Sequence, residues 1–423
     1  MNQKAIAGTG VLSVALALAC GATLAADAPP KAAEAPKVAS SPLEAITAGK
    51  LTLNLRARYE HVDQAGKTDY ADAFTNRTLL GWRTLPYYGI SLYAEAIDVT
   101  RIGVQNYNDM STASARYPTV ADPEHTGVNQ LYVDYTGLPD TKIRFGRQSL
   151  KLDNVRYVGN VEFRQVMQVL TGLWVENKSL PGVELDYGHF VRVKNIFDVE
   201  RQARIDLFRA AWTFMPDNQL IGFAYLQDQP LTGQQAATGL ADGSNRILGV
   251  RANGAFPIDG HWKLPYTAEY AKQDSYADGS SLVDAKYWRL GVGGQYDKTF
   301  VRADYEVLGS NNGLYAFQTP LGTNHLFQGW VDMFLVTPKQ GMRDAWLSAG
   351  TNVHGVQLYT EYHDFRTDVG SLKIGTEWDV GVTYAFTKQL TGKIEYGQFK
   401  EGDVLPTRYR DTSKFWVTGI FNF

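Results

Sequence analysis

The strongest regularity in the chain is an alternation of apolar and polar residues with a period of two. Leu51, Leu53, Leu55, Ala57 and Tyr59 alternate with Thr52, Asn54, Arg56, Arg58 and Glu60. The same pattern returns at Ile90–Ala96, Phe208–Phe214, Trp288–Tyr296 and Trp378–Phe386. Successive side chains of a strand point to opposite faces, so each run reads as a strand with one apolar and one polar face. The runs last about ten residues, roughly what a tilted strand needs to cross a bilayer.

The connections alternate between short and long. Tight turns are expected at 85–89, 136–140, 215–218, 297–298 and 387–389, where Pro, Gly, Asn and Asp cluster. Long polar loops are expected near 61–72, 101–125, 150–164, 193–204, 229–244, 275–284, 310–342, 366–372 and 401–411. Nine loops and eight turns imply eighteen strands, with both termini on the side of the turns. That asymmetry predicts an all-β fold: a transmembrane antiparallel up-and-down β-barrel with short periplasmic turns and long extracellular loops. A soluble sandwich needs no such asymmetry, and a propeller would repeat a motif every 40–50 residues or so. The last strand alternates through Phe415, Val417, Gly419, Phe421 and Phe423. This ending resembles that of outer-membrane barrels, whose terminal aromatic residue serves the assembly machinery.

Composition fits the same picture. Mean hydropathy is −0.26, too polar for helical spans of about 20 apolar residues each. A net charge of −3 with 20% charged residues points away from nucleic acid. The single cysteine, Cys20, excludes a disulfide framework and every multi-cysteine metal motif.

The N-terminus sets the compartment. Lys4 precedes a stretch from Ala5 to Ala26 without a charged residue, with the apolar segment Val11–Ala19 and small residues at Ala25 and Ala26. Residues 1–25 therefore read as a cleavable secretory signal. A retained anchor is disfavoured by the short apolar segment, and a lipidated Cys20 by Ala17 three residues before it. Residues 26–49 are rich in Ala, Pro and Lys and are expected to form a flexible periplasmic leader. Residues 50–423 form the barrel, placed in the bacterial outer membrane.

Parity then assigns faces, with large apolar and aromatic residues outward and charges inward. The inward bases are Arg56, Arg58, Arg77, Arg83, Lys142, Arg144, Arg192, Arg209, Arg251, Arg289, Arg302 and Lys393. They face eleven inward acids: Glu95, Asp134, Glu184, Asp186, Glu269, Asp304, Glu306, Glu361, Glu377, Asp379 and Glu395. The near balance imposes no selectivity. Ten of the twelve bases are arginine, however, whose planar fork suits carboxylate or phosphate. The competing reading is that these arginines pair with the acids and hold the wall together. The longest loop, 310–342, carries Leu314, Phe317, Leu326, Phe327, Trp330 and Phe334. It is expected to fold into the barrel mouth as a constriction.

Two stretches escape the alternation. The run Phe145–Gln165 contains Gly-Arg-Gln at 146–148, Arg156-Tyr-Val-Gly159 and Arg164-Gln165. The second, Asn324–Asp344, contains Gly329-Trp-Val-Asp-Met-Phe-Leu-Val-Thr-Pro338. Together they resemble the alginate-export-type outer-membrane porins. The resemblance implies a monomeric eighteen-stranded barrel with an arginine-lined conduit for an anionic polysaccharide or acidic sugar. It adds Arg147, Arg156 and Arg164 to the candidate conduit residues, with Trp330 and Asp332 packing a loop.

The expected function is passive passage of a hydrophilic, anionic solute or saccharide. The partners implied are outer-membrane lipid, the barrel assembly machinery through Phe423, and the solute itself. No cofactor or metal is expected, because none of the seven histidines has a zinc-motif spacing along the chain. Two other classes compete. A lipase-like barrel enzyme would need a His and a Ser two apart on one strand face, a spacing that is missing. His363-Asp364 could be half of a dyad, but neighbours in a strand point to opposite faces. An adhesin or structural barrel would need larger loops or an added domain.

Overall fold

The computed structural model describes residues 37–111, 114–229, 243–404 and 409–423. The expected signal, residues 26–36 of the leader and the tip of the 229–244 loop lie outside the described residues. The chain forms strands β1 (Lys50–Gln64), β2 (Ala71–Arg83), β3 (Ile90–Asn106), β4 (His125–Tyr135), β5 (Thr141–Gln148), β6 (Val169–Asn177) and β7 (Val183–Lys194). There follow β8 (Glu200–Met215), β9 (Asn218–Asp228), β10 (Asn245–Pro257), β11 (Trp262–Ser275), β12 (Asp284–Tyr296) and β13 (Thr299–Leu308). A small hairpin of β14 (Ser310–Asn311) and β15 (Tyr315–Ala316) belongs to the longest loop. The last strands are β16 (Met342–Val353), β17 (Val356–Arg366), β18 (Lys373–Ala385), β19 (Leu390–Glu401) and β20 (Thr412–Asn422).

Leaving the hairpin aside, these are one antiparallel sheet of 18 strands, each paired with its neighbours in the sequence. The sheet closes where β1 meets β20, in register from Asn54↔Asn422 to Gln64↔Thr412. Closure gives every strand two partners and leaves no open edge, the only way a sheet can meet lipid. Nine loops on one rim and eight turns on the other match the strand count expected from the sequence. The tightest turns have two residues and need positive φ; His354 and Gly355 supply it at 51° and 86°.

The faces are inverted relative to a soluble protein. Leu290, Val301 and Leu347 are more than half exposed on the outside, while Arg251, Glu269, Asp304 and Glu361 are buried inside. Strands β1, β3 and β8 extend into the stretches expected as loops at 61–72, 101–125 and 193–204. Above the lipid both faces meet water or folded loop, so strand pairing continues there without the apolar half of the alternation.

Two expectations need correction. The leader is not structureless throughout. Pro42–Thr47 forms a helical turn capped by Ser41, whose Oγ accepts from the Glu44 amide at 3.1 Å. It docks beneath the β2–β3 turn, where the Leu85 amide donates to the Ala45 carbonyl at 3.0 Å. The sequence signal was present in Ser41-Pro42-Leu43-Glu44, a capping-box spacing with Pro at the first helical position. Nor do the aromatics all face lipid. Phe190, Phe223, Tyr225, Tyr287, Phe365 and Phe399 are buried inside, close to the loop rim. They form an internal apolar core with Tyr157, Phe317, Leu321 and Phe334, which the loops bring in.

Leu290, at mid-strand on the outer face, tests the inversion. Leu290→Arg should cost roughly 2–4 kcal/mol relative to Leu290→Ala, measured by denaturant unfolding of the barrel in lipid vesicles.

Candidate conduit in the barrel lumen

Two loops fill the loop-side half of the lumen, and each is bonded to the other. The segment 149–168 runs alongside 309–341. The Gly159 amide donates to the Leu321 carbonyl at 2.8 Å, and the Thr323 amide to the Val155 carbonyl at 2.9 Å. The Gln168 side chain also donates to Leu321 O, at 2.9 Å. Aromatic contacts reinforce the pair, with Tyr157 4.8 Å from Phe223 of the wall and 6.2 Å from Phe317. The 310–342 loop therefore folds inward as expected, but together with a second loop that carries Arg156 and Arg164.

Both of these arginines tie loops to the wall. Arg156 is fully buried, 3.1 Å from Glu306 of β13, and donates to Gln328 at 3.1 Å. Phe327 lies over its guanidinium at 4.6 Å. Arg164 donates to Glu60 of β1 at 3.0 Å and to Asp332 of the other loop at 2.6 Å. His325 and Lys414 complete the cluster around Asp332, at 2.9 and 3.7 Å. Burial disfavours the charge on Asp332, but His325, Lys414 and Arg164 outweigh it and hold its carboxyl well below the usual range.

Most of the inward arginines are likewise neutralised by the wall. Arg83 and Arg144 share Asp134 at 2.9 and 2.6 Å. Arg209 pairs with Asp153 and Asp186 at 2.8 and 2.6 Å, and Arg251 with Glu269 at 2.7 Å. Arg289 and Arg302 share Asp304 at 2.8 and 2.5 Å. Lys393 pairs with Glu395 at 2.7 Å.

Arg147 and Arg192 do not reach the lumen at all. Arg147 has the parity of Phe145 and pairs in register with Leu131, both exposed on the apolar face. Arg192 was assigned inward by counting from Asp186, but a β-bulge between Phe190 and Arg192 adds a residue and turns it outward. Both meet Glu200 on the outer rim.

Three arginines remain, on β1 and β2. Arg56 lies directly opposite Arg77, and Arg58 is two residues along the same face. No carboxylate pairs with Arg56 or Arg77 among the described residues, and Arg58 has only Asp122, 3.9 Å away. Arg56 is satisfied by neutral groups, donating to Glu162 O at 2.7 Å and Gln165 Oε1 at 2.9 Å. Arg77 donates to Asn54 at 2.8 Å, and its Nε and Nη1 have no partner. Arg58 lies 4.2 Å over the Phe163 ring, and its Nε and Nη1 make no hydrogen bond.

A sequence model of the alginate export family matches residues 50–304, more than half of the chain. The protein belongs to the alginate export family. The match ends before the 324–344 motif, so it rests on the first motif and the barrel around it. No curated protein matches the chain. Among solved structures it is similar to OccK9 (OpdG) of Pseudomonas aeruginosa, with a TM-score of 0.70 at 12% identity, covering 90% of this chain and 99% of that one. OccAB4 of Acinetobacter baumannii gives 0.68 at 11%, over 89% and 98%. The outer membrane protein OpdK of Pseudomonas aeruginosa gives 0.66 at 14%, over 89% and 98%. At these identities the likeness shows the fold. Family and fold together make the protein a channel of the bacterial outer membrane.

In this alginate export family barrel, sequence reasoning missed the residues that fasten the constriction. Phe163 stacks on His325 at 3.5 Å between their ring centroids and lies 5.8 Å from Trp416. Gln165 donates to Thr75 Oγ1 at 2.9 Å while accepting from Arg56. No spacing along the chain signals contacts that join residues as far apart as Gln165 and Thr75 or Phe163 and Trp416. A polar or aromatic residue inside a loop motif was the only hint.

Arg164→Met removes the guanidinium that hydrogen-bonds both Glu60 and Asp332 and leaves Lys414, 3.8 and 3.7 Å away, as the cation they share. It should cost on the order of 3–5 kcal/mol in urea unfolding and make the single-channel current noisier. The Asp332 carboxyl is held low, so its stabilising effect is complete above an ordinary carboxylate pKa of about 4 and is lost as pH falls below it. Conductance should therefore stay steady down to about pH 5 and become unstable on further acidification. Asp332→Asn should remove that acid-dependent step.

Proposed function

We propose that this channel passes hydrophilic anionic solutes passively, with acidic sugars or short anionic saccharides as the solute class. The observation that carries this reading is the buried patch of Arg56, Arg58 and Arg77 beneath the 162–165 segment, in which Arg56 and Arg77 pair with no carboxylate among the described residues. A local surplus of fixed positive charge in a narrow aqueous path lowers the barrier for anions, even where the total charge is balanced. The guanidinium fork also matches a carboxylate better than a point charge does. The interlocked loops support a selective constriction rather than a wide pore. A passive channel follows the gradient, so the same geometry serves uptake or release.

Each barrel closes through its own β1 and β20, so no second chain is needed to complete the sheet of the monomeric channel that the family resemblance implies. Phe423 ends the closing strand, with its amide donating to Leu53 O at 2.9 Å and its side chain exposed. That position suits recognition by the assembly machinery during insertion. Residues 1–25 or 1–26 would be removed on export, leaving a mature chain that starts at Ala26 or Asp27.

Planar-bilayer recordings across a salt gradient test the solute class. Wild type should prefer anions. Replacing Arg58 and Arg77 by Gln should shift the reversal potential toward cations by several-fold in permeability ratio. A cation preference in wild type, unchanged by the double substitution, would sink the anion reading. Deleting residues 312–340 should raise single-channel conductance, and an unchanged value would remove the constriction from the proposal.

A further inference from the structure

We propose that His363, Glu361 and Asp379 form a buried site for a divalent transition-metal ion, set in the barrel wall beneath the inward-folded loop. The three residues come from neighbouring strands. In the β17–β18 register Glu361 lies opposite Asp379 and His363 opposite Glu377, so all four side chains share the inner face. One ligand atom from each of His363, Glu361 and Asp379 lies within 4.8 Å of the others. A four-coordinate ion with ligands at about 2.1 Å spaces them by about 3.4 Å, so small side-chain movements would close the site.

The histidine is oriented for this role. Its Nδ1 is 2.9 and 3.0 Å from the two oxygens of Asp344 on β16. An ionised carboxylate only accepts, so Nδ1 carries the proton, and a neutral ring would present the Nε2 lone pair. That Nε2 is buried, 3.5 Å from Glu361 Oε1, and makes no hydrogen bond. Nε2 and Glu361 Oε1 face each other across a gap that calls for a proton or a cation between them. A carboxylate behind a ligating imidazole is the usual outer partner of a metal-bound histidine. The true partner of His363 is thus Asp344, across the strand pair, and not its chain neighbour Asp364.

The carboxylates give a second, independent sign. Asp379 Oδ1 and Glu377 Oε2 are both buried and without a hydrogen-bond partner. Among the described residues no Lys or Arg pairs with Glu361, Glu377 or Asp379, so His363 is their only possible cation. Several carboxylates buried together are costly unless compensated. The other oxygens are positioned by the loop. The Val331 amide donates to Glu377 Oε1 at 2.7 Å, and the Trp330 amide lies 3.4 Å from Asp379 Oδ2. A side chain at Gly329, where φ is 78°, would come within 2.3 Å of Glu377, so the loop backbone rests directly on the cluster. One nitrogen and several oxygens suit zinc, cobalt or manganese rather than a soft metal. An ion there would cancel negative charge beneath the constriction and fix the 329–332 segment to the wall.

Zinc and cobalt serve as probes. The full-length mature barrel is unfolded with a chelator, refolded into detergent with or without Zn2+, dialysed, and its metal content measured. Folding is checked by the mobility difference between unheated and heated samples. Wild type should retain about one Zn2+ per chain, and His363→Gln or Asp379→Asn should weaken retention by about tenfold or more. Refolded wild type that holds neither Zn2+ nor Co2+ would overturn the site, its carboxylates then being protonated. Zn2+ retention that is the same in folded H363Q and D379N would overturn it equally. If the variants fail to fold, the visible spectrum of the Co2+-loaded wild type decides. Intense four- or five-coordinate bands support the site, and the weak spectrum of hydrated Co2+ refutes it.

Discussion

Lipid offers a backbone amide nothing to bond to, and that single constraint organises the protein. Every strand must have two partners, so the sheet has to close, and it does so through the β1–β20 seam. Closure turns one face of each strand to lipid and the other to the lumen. The apolar set goes outward, as with Leu290 and Leu347, and the charged set inward, as with Arg289 and Asp304. Everything special about the interior follows from having to accommodate that polar face.

The interior solves the problem by pairing. Arginines and acids are interleaved across neighbouring strands, so that most guanidinium groups meet a carboxylate of the wall, as Arg251 meets Glu269. Isolated charges in such a space would be expensive, and paired ones stiffen the sheet. The loops then use the same chemistry to fold inward. Arg156 and Arg164 carry one loop onto Glu306 and Glu60, and Asp332 brings the other loop to Arg164. What stays unmatched stands out against this background: guanidinium donors at Arg58 and Arg77 on one side, and carboxylates at Glu377 and Asp379 on the other.

Near the loop rim the interior follows a different rule. Phe223, Tyr225 and Tyr287 point inward to meet Tyr157 and Phe317, so this level is packed like the core of a soluble domain. Their aromatic character alone would have sent such residues to lipid or to an interfacial girdle, although Tyr287 shares the parity of Arg289 and Phe223 lies opposite Arg209. They are inside because the loops supply an apolar surface to receive them.

The barrel itself was legible in the sequence because alternation, strand length and the asymmetry of turns and loops are all local properties, each imposed by the same bilayer. Strand number, the two faces, most of the inward charges and the loop that constricts the mouth could be read from Leu51 onward. The bulge at Phe190–Arg192 could not, and one inserted residue was enough to move Arg192 to the outside. Which arginines are free, how two loops interlock, and which carboxylates gather around His363 depend on partners 20 to 170 positions apart. The sequence by itself determined what each strand shows to lipid and to water. Only the closed sheet decided which charges meet, because register and loop docking are set by contacts across the barrel and not along the chain.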